Sequence, residues 1–399
     1  MKPLRDDTQA FSELIDGREL IVCAGSGGVG KTTISAVIGL HAALEGRKVL
    51  VLTIDPAKRL ANSLGVRSLD NQAQAIELEQ FRDLGLEPSG ELWAMMLDMK
   101  ESFDDLVRRH APDDENRQRI LDNRFYQYFS TSLAGSQEYA ASERLYELYE
   151  EDEYDLIILD TPPTTHALDF LEAPKRIANA VENKALQWLY KPNALTGTSG
   201  LGLFSVGTSY VVNTLSKFTG TELLTEMATF LQAYSTLFEG QRGRARRVEE
   251  LLTGDACTFL VVTAPDPLTL DEAIYFHEQL GQQKVAVGGF VVNRVHPRWV
   301  GLERLEQSAD SLVPELQALG PAREWSDEQW LDLASRLQSN ANDFEALAVK
   351  DQHSIETLTE HVSRETPVVK VPYFPQDIHS LSGLARVRSA LFVGDSLAH

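Results

Sequence analysis

Apolar residues are arranged along the chain in two alternating registers. Short unbroken runs occur in LIVC (20–23), KVLVLTIDP (48–56), YDLIILDTPP (154–163), TFLVVTAP (258–265), AVGGFVVNRV (286–295) and TPVVKVPYF (366–374). Runs of this length without polar alternation belong to strands covered on both faces. Between them apolar positions fall three and four apart, as a helix requires. TISAVIGLHAALEG places Ile34, Val37, Ile38 and Ala42 on one side and reaches Gly46 at a natural helix end. The same spacing predicts helices in MLDMKESFDDLVRRH (96–110), YAASERLYELYEEDEY (139–154), LTLDEAIYFHEQLG (268–281) and LSGLARVRSALFV (381–393). It makes residues 57–153 mostly helical, with PDDEN (112–116) as punctuation. Strands alternating with helices predict an α/β fold of three layers, a mostly parallel central sheet flanked by helices, with any ligand at the carboxyl ends of the strands.

Two stretches interrupt this rhythm. Residues 176–250 are apolar but rich in Gly, Ser and Thr, and predict an inserted helical subdomain rather than a membrane span. Within it Leu201, Leu203, Phe204, Val211, Val212 and Leu215 form an inward-facing core or, as the family resemblance drawn below implies, line a groove for a protein or apolar client. Residues 303–363 form a charged helical segment in which Ser326 and Gln329 have the spacing of a capping box. The whole chain, 1–399, is expected to be one domain carrying these additions.

With 37 basic against 59 acidic residues the formal charge is -22, which repels nucleic acid and anionic lipid over most of the surface. A polyanionic ligand therefore needs a local positive pocket. Cys23 and Cys257 sit inside apolar strands and read as small core hydrophobes, not as a disulfide framework or a thiolate metal site. The start, MKPLRDDTQAF, has no apolar signal core, so a cytoplasmic protein without an integral membrane segment is expected; a peripheral membrane link stays open.

That pocket has a candidate at the end of the first strand. Gly25, Gly30, Lys31 and Thr32 fit G-x-x-x-x-G-K-[ST], with a strand before and a helix after. Such a loop turns backbone N–H groups of Gly27, Gly28, Val29, Gly30, Lys31, Thr32 and Thr33 toward phosphate oxygens, Lys31 adds a positive charge, and the Thr32 hydroxyl can ligate Mg²⁺. The expected ligands are a nucleoside triphosphate and Mg²⁺ in a three-layer P-loop NTPase fold. Asp55 and Asp160 end two other strands and reach the same sheet edge: Asp55 for orienting the attacking water, Asp160 for the Mg²⁺ shell through water, both as candidate catalytic and metal-site residues. Thr161 to Thr164 make a stiff loop suited to sensing a γ phosphate, and His166 either packs or belongs to that switch. Asn293, at a further strand end, has an amide that donates and accepts as an adenine edge demands, and Pro372, Tyr373 and Phe374 can wall the base.

Taken in order, GSGGVGKT (25–32), TIDPAKRL (53–60), DTPPTTH (160–166), VVNR (291–294) and VPYF (371–374) resemble the deviant-Walker ATPases that include the arsenite-pump ATPase subunit and the ATPase that delivers tail-anchored membrane proteins. The resemblance implies a P-loop lysine at Lys31, an Mg²⁺ threonine at Thr32, a water-positioning aspartate at Asp55, a second switch aspartate at Asp160, an adenine asparagine at Asn293 and a base-side segment at Pro372. It also implies a dimer, with a second copy or with a paralogous ATPase.

The departures bear on mechanism. Where the family has a first lysine that reaches across a dimer, this chain has Ser26, which cannot deliver a positive charge. Hydrolysis is then slow, or compensated by Lys58 or Arg59, or completed by a paralogous partner. No Cys-x-x-Cys pair is present for a zinc clasp, arsenite-binding cysteines are missing, and Met227 is the one methionine of residues 176–250. Two functions are therefore weighed: an Mg²⁺-dependent ATPase coupling nucleotide state to a partner or client, and an ATP-binding scaffold or regulatory subunit with little turnover. A kinase lacks a recognisable acceptor site.

Overall fold

The computed structural model describes residues 7–393 apart from 56, 58, 78–80, 83–84, 133–135, 164–168, 174–175, 177–220, 299–307, 320–324 and 379. Its sheet contains β1 (Leu20–Gly25), β2 (Lys48–Thr53), β3 (Gln74–Ala75), β4 (Glu91–Met96), β5 (Leu156–Asp160), β6 (Cys257–Thr263), β7 (Val287–Val295) and β8 (Val368–Pro372). The spatial order is β3-β4-β2-β5-β1-β6-β7-β8, and every neighbouring pair is parallel except β3 with β4. All six apolar runs are strands here, and β1 lies between β5 and β6 at the centre.

The pleat sends alternate residues of each run to opposite layers. Leu20, Val22, Leu50, Leu52, Ile157 and Leu159 face a core shared with the helices Met99–His110, Ser136–Glu150 and Pro267–Gln282. Ile21, Cys23, Val49, Val51, Leu156 and Ile158 face the core built with Asp7–Asp16, Lys31–Leu44 and Leu381–Arg388. Burial pushes the Cys23 thiol up to about 12 and raises that of Cys257 as well, so both are the inert core residues expected.

Residues 57–153 depart from the expected helical character, because β3 and β4 lie within them. ELWAMM is composed of residues that also suit helices, and its parallel pairing with β2, in register from Lys48 with Glu91 to Thr53 with Met96, is what makes it a strand. The helix after it starts at Met99 rather than 96, since the Asp98 carboxylate caps it by accepting from the Glu101 N–H at 2.8 Å. Asp113, in the PDDEN punctuation, likewise starts the next helix, accepting from the Asn116 N–H at 2.7 Å.

In the inserted region, Thr221–Tyr234 and Phe238–Thr253 are helices; the six candidate groove residues from Leu201 to Leu215 lie outside the described residues. Phe238–Thr253 is tied to Ser136–Glu150 by an ion pair between Arg244 and Glu143, both nearly inaccessible to solvent. Further on, Asp327–His361 is a single helix of 35 residues with the expected capping box: Ser326 Oγ accepts from the Gln329 N–H at 3.3 Å, and Gln329 Oε1 from the Ser326 N–H at 2.9 Å.

At the far end of Lys31–Leu44, His41 is buried, stacks on Phe392 with ring centroids 3.6 Å apart, and has no hydrogen-bond partner for either ring nitrogen among the described residues. Burial pushes it down to about 4 from 6.5, with Arg388 adding to the shift. A depressed folded value means the stability it contributes is present above pH 6.5 and lost as pH falls toward 4, by up to about 3 kcal/mol. His41→Phe is therefore expected to flatten the stability profile between those pH values, as measured by urea denaturation at several pH values.

Candidate functional site

The loop from β1 into Lys31–Leu44 is shaped by glycines that space itself demands. At Gly25 an added Cβ would lie 2.0 Å from the Val262 carbonyl oxygen of β6, and at Gly30, where φ is +102°, it would lie 2.4 Å from Asn293 Nδ2. Lys31 folds back over the turn, its Nζ donating to the carbonyls of Gly25 at 2.9 Å and Ser26 at 2.8 Å. Burial pushes this ammonium below the usual lysine value, while Asp160 and Asp55 draw it back up.

Beneath the loop, Asp160 Oδ2 accepts from the hydroxyls of Thr32 at 2.7 Å and Thr53 at 2.9 Å. Its other oxygen, Oδ1, is buried with no hydrogen-bond partner among the described residues. Burial pushes the Asp160 carboxyl up to about 6, with the two hydroxyls and Lys31 pulling it down. A buried carboxylate with one uncommitted oxygen, beside a threonine hydroxyl, is an oxygen donor set that fits a hard divalent cation such as Mg²⁺.

A cavity of about 660 Å³ reaches this cluster at Thr32, while Asp160 and Thr53 do not line it. Gly27, Gly28, Gly30, Lys31, Thr32 and Thr33 line one side of it, and Asp55 and Arg59 contribute from the segment after β2. Asp55 Oδ1 accepts from the Ala57 N–H at 2.9 Å, and Oδ2 stands 3.8 Å from Arg59. Of the three metal candidates Thr32 and Asp160 are thus hydrogen-bonded together, whereas Asp55 is turned to its own loop. Gln137 Nε2, from Ser136–Glu150, donates to the carbonyl of Ile54 at 2.8 Å, directly before Asp55. Pro163 also borders the cavity; Lys58, Thr164 and His166 lie outside the described residues.

A second wall comes from the ends of β7 and β8: Asn293, Arg294, Pro372, Tyr373 and Phe374. Asn293 Nδ2 donates to the Val29 carbonyl at 2.8 Å and Oδ1 accepts from the Arg294 N–H at 2.9 Å, which binds this wall to the phosphate loop and leaves one N–H and one lone pair of the amide. The Val29 side chain is in the core, so only its backbone belongs to the site.

Ser26 is turned another way. Its hydroxyl donates to the carboxylate of Glu272 in Pro267–Gln282, and neither residue lines the cavity. Glu272 could not be found from sequence, since the two are 246 positions apart. Thr53 had a signal, the hydroxyl in the strand end T-I-D, and Arg294 sits beside an asparagine already singled out.

The central strand running into this loop, the Thr32–Asp160 hydrogen bond beside it and the strand order around it match the architecture of the P-loop NTPases. The sequence profile of the anion-transporting ATPases matches residues 18–307, and the chain belongs to that family. Nucleotide binding with ATP hydrolysis is the general class of activity that membership brings. The chain is similar to ATPase GET3 of Malassezia globosa, with 28% identity over 180 residues that cover 44% of this chain and 50% of that protein. It is also similar to ATPase ASNA1 homolog 1 of Paramecium tetraurelia, 23% identical over 69% of this chain and 74% of that protein. For ATPase get3 of Schizosaccharomyces japonicus the figures are 24% over 74% and 82%. The chain thus spans half the length of the first of these. Among the described residues no helix is long and apolar enough to cross a membrane.

Proposed function

We propose that the chain is an Mg²⁺-dependent ATPase that converts ATP and water to ADP and phosphate and passes its nucleotide state to the inserted helices and a protein or client bound there. The observation that supports this best is the Thr32–Asp160–Thr53 cluster, with its uncommitted carboxylate oxygen, directly below a loop that keeps Lys31 facing inward. Mg²⁺ held by Thr32 and Asp160 would supply positive charge against the phosphates. In this reading the N–H groups from Gly27 to Thr33 bind phosphate oxygens, Lys31 stabilises the charge that develops, and Asp55 orients the attacking water. Asn293 and the Pro372–Phe374 segment take the base.

Lys31→Ala is expected to weaken Mg-ATP binding roughly 10- to 100-fold, the loss of one charge-assisted contact to phosphate, as measured by calorimetric titration. Association as a homodimer, or as a heterodimer with a paralogous ATPase, is part of the same proposal, as is a cytoplasmic setting.

One observation favours the second reading, an ATP-binding scaffold with little turnover: position 26 carries a neutral hydroxyl committed to Glu272. Phosphate release by the pure protein, alone and with candidate partners, separates the two, with Asp55→Asn and Ser26→Lys as comparisons. Release that depends on Asp55 supports the enzyme. Nucleotide binding with no release under any of these conditions overturns it in favour of the scaffold.

A further inference from the structure

We propose that His296 and Asp351 are positioning residues for nucleobase binding: Asp351, on the long Asp327–His361 helix, fixes the His296 ring, and His296 holds the Tyr373 ring in place on the base side of the cavity. This deepens the proposal that the cavity binds ATP and rests on it.

Tyr373 lines the cavity directly after β8. Its backbone is fixed, the N–H donating to the Val295 carbonyl at 2.8 Å, but the residue is 40% exposed. An aromatic ring that open to solvent needs lateral support to present one face steadily. That support is His296, whose ring is stacked on Tyr373 with centroids 5.2 Å apart and planes 20° from parallel.

His296 is itself held twice by one atom. Asp351 Oδ2 accepts from the His296 backbone N–H at 2.8 Å and lies 2.7 Å from ring Nδ1. A carboxylate only accepts, so Nδ1 carries the proton and the ring plane is set by Asp351. Asp351 is 7% exposed at its side chain, which keeps this anchor shielded from competing water. A second pair, Arg298 with Glu345, joins the same two elements nearby. The chain of contacts runs from a rigid helix through two side chains to a ring on the cavity wall. Preorganising that ring removes an ordering cost otherwise met when a base stacks on it.

The test compares Mg-ATP with Mg-tripolyphosphate, which has the phosphates but no base, by calorimetric titration of the full chain. Tyr373→Ala is expected to lose about 5- to 100-fold in ATP affinity, the loss of one base stack, with tripolyphosphate changed less than about twofold. His296→Ala and Asp351→Ala are expected to show the same ATP-only loss at about 3- to 10-fold, and His296→Phe, which keeps a flat ring against Tyr373, to bind ATP within about twofold of the native chain. A merely structural role would weaken both ligands together, and retained tripolyphosphate binding reports a folded site in each variant. The proposal is overturned if His296→Ala and Asp351→Ala bind ATP normally while Tyr373→Ala does not, or if both ligands weaken equally and His296→Phe gives no rescue. Native protein that binds tripolyphosphate and ATP equally well also overturns it. Native protein that binds neither ligand removes the ATP reading itself and this inference with it.

Discussion

Asp55→Asn is expected to lower phosphate release from Mg-ATP by about 10²- to 10⁴-fold, the usual contribution of a group that positions or activates the nucleophile, while Mg-ATP affinity stays within a few-fold. The substitution is nearly isosteric. Asparagine keeps an oxygen to accept from the Ala57 N–H, so the turn after β2 is preserved, and what disappears is the charge that faces Arg59 and the cavity. Such a change should appear in kcat and not in binding. Single-turnover phosphate release and an independent titration of Mg-ATP separate the two quantities. Turnover unchanged in Asp55→Asn would remove Asp55 from the mechanism, and equal losses in binding and turnover would assign it to holding ligand rather than to chemistry.

Arg244→Met should destabilise the folded chain by about 3–5 kcal/mol, because it leaves a buried carboxylate without its partner. Glu143 is 6% exposed and also accepts from the Tyr139 hydroxyl at 2.6 Å, while Gln241 donates to the Tyr234 hydroxyl, likewise at 2.6 Å, in the same layer. Burial pushes the Glu143 carboxyl above the usual carboxylate range and Arg244 pulls it back, so the pair survives by mutual compensation. Removing both charges, in Arg244→Met with Glu143→Gln, should restore most of the loss. Urea unfolding of the single and double variants provides the measurement. A double variant as unstable as Arg244→Met alone would show that packing of the arginine stem, and not the stranded charge, sets the cost.

What could be read from sequence follows the range of the forces involved. β1, β2, β5 and β6 declared themselves because they are buried on both faces almost throughout and so exclude polar residues locally, and β7 and the edge strand β8 because each keeps a short buried apolar stretch beside its more exposed positions. The phosphate loop was legible for a related reason: Gly25 and Gly30 answer to backbone geometry within a few residues, even though the atoms that exclude a Cβ belong to β6 and Asn293. The capping box at Ser326 is equally local. β4 escaped notice because Leu, Ala and Met are ambiguous between helix and strand until β2 pairs with them. The Ser26–Glu272 bond and the stacking of His296 on Tyr373 come from tertiary placement alone. For Asn293 the sequence pointed to a residue that lines the cavity but not to the bond its amide makes with the Val29 carbonyl.

The Ser136–Glu150 helix touches two distant matters with side chains six residues apart, about 9 Å along its axis. Gln137 grips the peptide in front of Asp55, and Glu143 grips an arginine of the inserted helices. A stiff beam fastened at both points cannot let one end travel while the other stays. In the coupling proposed above, movement of the β2 exit would pass along this helix to the insertion, and its weaker link is the single amide hydrogen bond at Gln137.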